Sequence, residues 1–158
     1  MTGSISGLAY KIFVNEFDSD TGNATSGAIS GWLTENLGAL NTYLNTSFSG
    51  DGESVSGLGL EEQNIYKEMY LYHFYTKRAR NTLRGISDDS TGHIVSVRDG
   101  EQTISFVNKN EVSKVYRGLA KDSQEKLDKL IYNYNIYRTA PVQVGGLETR
   151  LPQSGEMY

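Results

Sequence analysis

EEQNIYKEMYLYHFYTKRARNTLR, residues 61–84, carries the densest helical pattern in the chain and sets how the rest is read. Ile65, Met69, Tyr72, Thr76, Ala79 and Leu83 recur at steps of three or four, which places them on one inward-facing stripe of a helix. Tyr66, Tyr70 and Phe74 form a second row, and Leu71 and Tyr75 a third. The middle of the helix is therefore apolar or aromatic almost all round, as in a helix that is central or flanked by neighbouring subunits. Its acids (Glu61, Glu62, Glu68) come early and its bases (Lys77, Arg78, Arg80, Arg84) late, the polarity that suits the helix dipole. Gly85 stands where a left-handed cap residue is wanted, so the helix is predicted to end there.

Working outward, 26–45 is predicted as a helix with Ile29, Leu33, Leu37, Leu40 and Leu44 on one face and Trp32 and Tyr43 beside it. Gly31 and Gly38 weaken that helix unless they pack against a partner. SFSGDGESVSGLG, before the central helix, reads as a loop by composition. Residues 1–27 read as an arm: LAYKIFV suits a short strand or one turn of helix, and the polar DSDTGNATSG does not build a core. The spacing of Asp18, Asp20 and Gly22 hints at a calcium loop. Asn23 and Ile29, however, stand where an EF-hand needs glycine and a bidentate glutamate, which excludes one.

After the central helix, ISDDSTG is a loop and HIVSVRDGEQTISFV a β-hairpin with Asp99-Gly100 as its two-residue turn. That register pairs Arg98 with Glu101, Val97 with Gln102, Val95 with Ile104 and His93 with Phe106. Such a hairpin is marginal alone and must lie on helices or join other strands. Asn108 or Asn110 then caps a helix with Val112, Val115, Tyr116 and Leu119 on its face. Leu127, Leu130, Ile131 and Tyr134 continue the pattern. Asp122 and Glu125 have capping-box spacing and Gly118 invites a break, so 110–136 is either one helix or two. Beyond Arg138, TAPVQVGGLETRLPQSGEMY holds both prolines and reads as extended. The fold class is mainly α. It comprises an N-terminal flexible arm (1–27), a small helical bundle (28–138) with one β-hairpin insertion (93–107), and an extended C-terminal tail (139–158).

A chain of 158 residues is one domain by length and long enough to fold without metal or disulfide. It has no cysteine, which excludes disulfides, thiolate metal sites and thiol catalysis. No leader pattern or long apolar run stands out, which predicts a soluble intracellular protein without a membrane partner. A net charge of −4 argues against a dedicated nucleic-acid binder. Eleven tyrosines are the feature of note, since tyrosine serves surfaces that are partly apolar and partly hydrogen-bonded, although any single ring is more simply a core filler.

Recognised catalytic patterns are missing. His73 on the central helix and His93 at the hairpin read as structural residues. GLGLEE lacks the preceding strand and third glycine of a nucleotide loop, and no serine elbow, phosphate loop or metal-ligand spacing occurs. No enzyme and no cofactor are expected. Lys77, Arg78, Arg80 and Arg84 form a basic cluster that either compensates the helix dipole or meets phosphate. Arg117 and Lys121 would join it if the helices pack antiparallel.

The segments GWLTENLGALNTYLN, EEQNIYKEMYLYHFYTKRARNTLRG and ISFVNKNEVSKVYRGLAKDSQEKLDKLIYNYN resemble small neck proteins of phage virions, the head–tail connector (adaptor or head-completion) proteins of tailed bacteriophages. The likeness spans roughly residues 29–137 and rests on overall texture, not on one motif. It implies a viral structural protein of the virion neck, assembled in the host cytoplasm as a homo-oligomeric, twelve-fold ring beneath the portal. There it would extend the DNA channel and receive further neck or tail proteins. The expected interface residues are Trp32, Tyr66, Tyr70 and Phe74, with Arg98 and Glu101 of the hairpin and Pro141, Val142, Leu147, Leu151 and Tyr158 of the tail. Lys77, Arg78, Arg80 and Arg84 are the expected DNA-channel contacts. The alternatives are a tail-terminator or tail-completion ring, and a small DNA-binding regulatory helical protein.

Overall fold

The computed structural model describes residues 2–50, 54–87, 96–99, 102–105 and 109–139. The chain is mainly helical, as its periodicity predicts, and two long helices form its spine. α4 (Leu60–Ser87) and α5 (Lys109–Thr139) run antiparallel, with Ser113 Oγ donating to the Ala79 carbonyl near one end and Tyr134 Oη to Glu62 near the other. Around them stand α1 (Ile5–Phe17), α2 (Ser26–Glu35) and α3 (Leu37–Leu44). Strand β1 (Thr2–Ser4) pairs antiparallel with β2 (Ser54–Ser56), and β3 (Ser96–Asp99) with β4 (Gln102–Ser105).

The segment expected as an arm (1–27) is, over its described residues 2–27, not an arm. Ser4 caps α1 by accepting from the Gly7 amide, and Ile5, Leu8, Ala9, Ile12 and Phe17 enter the core. The helix closes on Asp18 and Ser19, both left-handed, whose amides reach the Phe13 carbonyl. Asp20 then braces the polar stretch, accepting from the Gly22 amide and from Asn23 Nδ2. The glycine- and serine-rich composition marks the joint between two packed helices.

The predicted helix over 26–45 is two helices. Asn36 breaks it: its own amide and its side-chain Nδ2 both donate to the Trp32 carbonyl, a local closure that competes with helical continuation. Ile29, Leu33, Leu40 and Leu44 are buried on either side of the break. The segment before α4 also contributes to the core, through Val55 on β2 and Leu58. Gly57, at φ +86°, allows the backbone to turn between them.

α4 continues through Gly85 to Ser87, so that glycine is not its cap. α5 is one helix of 31 residues, uninterrupted at Gly118 and at Asp122. Leu127, Leu130, Ile131 and Tyr134 face inward as predicted, but Val115 and Leu119 are 63% and 39% exposed. Ser113 and Ala120 take the inward positions instead and, like Ala79 of α4, are buried. Small residues let the two helices approach closely, and that contact, not the apolar count, fixes the rotation of α5.

The hairpin forms in another register. Ser96 pairs with Ser105, Val97 with Ile104, Arg98 with Thr103 and Asp99 with Gln102. Arg98 therefore does not stand opposite Glu101. A slip of two residues preserves the alternation of the strands, so the hydrophobic pattern alone does not distinguish the registers. His93, Val95, Glu101 and Phe106 lie outside the described residues.

Candidate assembly interface

Part of the aromatic surface of α4 is covered from within the chain. Tyr66 is fully buried and its hydroxyl donates to the Leu33 carbonyl of α2; Tyr70 is also buried. The Phe17 ring of α1 lies 4.7 Å from Phe74, and Trp32 of α2 lies 5.4 Å from Tyr70 and 5.0 Å from His73. These edge-on and tilted contacts join α1, α2 and α4 into one cluster. Of the residues expected at an interface, Tyr66 and Tyr70 are thus buried within the protomer, while Trp32 and Phe74 are partly buried against the same cluster. Burial pushes the Tyr66 and Tyr70 phenols up, Arg78 partly opposing it at Tyr70. Burial lowers His73, and Lys77 and Arg80 add to the effect.

Trp32 and His73 both line two clefts. One, of about 270 Å³, continues past Phe74 to Arg78; the other, of about 390 Å³, opens between α3 and α5, where Tyr43, Tyr72 and Leu127 also line it.

The basic residues of α4 separate into different tasks. Arg78 reaches back to the α1–α2 joint, donating to the Gly22 and Asn23 carbonyls and to Asn23 Oδ1 while its guanidinium stacks on Phe74. It is a tether, which explains why its charge sits within an aromatic region. Arg80 instead meets Arg117 and Lys121 of α5 along a groove of about 250 Å³ floored by Tyr72, Ala79, Leu83 and Ala120. The antiparallel pairing of α4 and α5 brings those three cations together. Lys77 and Arg84 are exposed and do not line this groove.

Exposed apolar side chains concentrate on α5. Val115, Leu119, Tyr132, Ile136 and Tyr137 all face solvent on this one helix, and Tyr137 is 87% exposed. A second set stands on other elements: Tyr10 on α1, Tyr43 on α3 and Leu60 at the start of α4. The α5 set is one that sequence reading missed, since Val115 and Leu119 look like core residues by spacing. Pro141, Val142, Leu147, Leu151 and Tyr158 lie outside the described residues, as does Glu101.

Among the described residues, no helix is long and apolar enough to cross a membrane, and no His, Asp and Glu residues group as a metal site. No protein-family model, curated protein or solved structure matches the chain.

Proposed function

We propose that this chain is a structural protein of a tailed-bacteriophage neck, forming a ring that joins portal and tail and continues the DNA channel. The observation that carries the reading is α5, on which Val115, Leu119, Tyr132, Ile136 and Tyr137 are all exposed. Solvent-facing apolar side chains gathered on one rigid element favour a protein partner. A ring also needs two unlike surfaces on each protomer. The exposed Tyr10 and Leu60, on elements other than α5, supply a candidate for the second. The role is one of assembly, not turnover.

The test is the location and copy number of the chain in an intact particle. A ring of about twelve copies between portal and tail, with tailless or DNA-leaking particles when the chain is deleted, is the expected result. A six-fold ring at the tail's upper end would replace this reading with a tail-terminator one. The convergence of Arg80, Arg117 and Lys121 favours one second reading, binding to duplex DNA by phosphate contact. That reading predicts an affinity that falls steeply with salt and is reduced in an Arg80→Ala/Arg117→Ala variant.

A further inference from the structure

We propose that the outer surface of α5 pairs with the same surface of a second copy of this chain, the two helices antiparallel about a two-fold axis near residues 125 and 126. Val115, Asp122, Lys129 and Ile136 follow one another at seven-residue steps and all four are exposed. A seven-residue step drifts by only ~20° around a helix, so they form one row nearly parallel to its axis.

The order along that row is apolar, acid, base, apolar. Reversed, it becomes apolar, base, acid, apolar, which is its own complement. An antiparallel copy sets Val115 against Ile136 and Asp122 against Lys129, and the two-fold axis repeats each pair. A parallel copy in register would set Asp122 on Asp122 and Lys129 on Lys129, so charge selects the direction. On one flank, Gly118 lies within one residue of the level of Tyr132 of the second copy. A Cβ built on Gly118 would touch nothing within 4 Å in its own chain, and the Tyr132 ring is 65% exposed. A bare glycine backbone gives such a ring a flat surface to lie on. At ~1.5 Å per residue the row from Val115 to Ile136 is about 32 Å long.

This inference goes beyond the neck reading and does not depend on it. A two-fold contact closes at two copies, whereas a ring needs head-to-tail contacts. The pair is therefore a state of the free chain, which keeps Val115 and Ile136 covered until another contact displaces it.

The experiment measures the mass of the full chain in solution, at concentrations up to the order of 100 μM, a range that detects weak dimers. Wild type is expected at twice the chain mass. Asp122→Lys opposes lysine to Lys129, and Lys129→Asp opposes aspartate to Asp122, so each variant alone should weaken pairing at least ~10-fold. Mixed in equal amounts, the two should form a heterodimer, because each then meets the opposite charge. Both positions are exposed, and circular dichroism checks that each variant stays folded. A wild type that is monomeric throughout, charge variants that pair as well as wild type, or variants that stay monomeric when mixed would each overturn the proposal. A larger ring indifferent to both substitutions would do the same. No virion component enters the assay, so its failure leaves the neck reading standing, and failure of the neck reading leaves the dimer standing.

Discussion

Glu62 shows how one residue ties α4 to α5 at one end of the spine. It is 5% exposed, accepts from Tyr134 Oη at 2.8 Å and from the Arg138 guanidinium at 3.1 Å, and rests beside Gly59, where a Cβ would come within 2.7 Å of its Oε2. Tyr134→Phe leaves this buried carboxylate short of a donor, and urea unfolding should show a loss of about 1–3 kcal/mol. Arg138 is 61% exposed, so Arg138→Gln should cost no more than ~1 kcal/mol in the same assay. Burial, followed by the hydrogen bond to Glu62, pushes the Tyr134 phenol up to about 12, and burial raises Tyr66 as well. The folded pKa values lie above the unfolded value of 10.0, so this stability is complete below pH 10.0 and is lost as pH climbs through the folded values. The urea midpoint should fall over that window, and fall less steeply in a Tyr66→Phe/Tyr134→Phe protein.

At the scale of elements, the decisive unit is α1. Ile12 is buried there, and Ile12→Ala should destabilise by about 2–5 kcal/mol in denaturant unfolding, where an arm residue would show no effect. α2 offers a change of the opposite sign. A Cβ on Gly31 meets nothing within 4 Å, so Gly31→Ala should raise the thermal midpoint, through a gain of about 0.5–1 kcal/mol. That result would also show the glycine is not kept for close packing inside the protomer. In α5 the second half was legible from Leu127 to Tyr134, because its apolar residues are also its inward ones. The first half was not, because Val115 and Leu119 obey helical spacing while the packing contact falls to Ser113 and Ala120. Residue spacing reveals that an apolar stripe exists, but not which stripe the neighbour covers.

Over the whole molecule, the bundle is centred on α4, with α1 and α2 over its aromatic residues and α5 along another side. Deleting residues 1–17 removes the Phe17 ring from Tyr70 and Phe74 and unpairs β2 from β1. The shortened chain should lose its single cooperative unfolding transition and bind a hydrophobic dye, as followed by circular dichroism and fluorescence. An arm could be removed without either change.

The mainly helical class, the long central helix, the hairpin and the buried faces of 29–44 and 127–134 were determined by the sequence itself. Each rests on a period that repeats within one element and needs no partner to be seen. The folding-in of α1, the break at Asn36, the rotation of α5 and the gathering of Arg80 with Arg117 and Lys121 were decided only in three dimensions. Each of these depends on which surfaces meet, or on one side chain closing onto nearby backbone, and periodicity is blind to both.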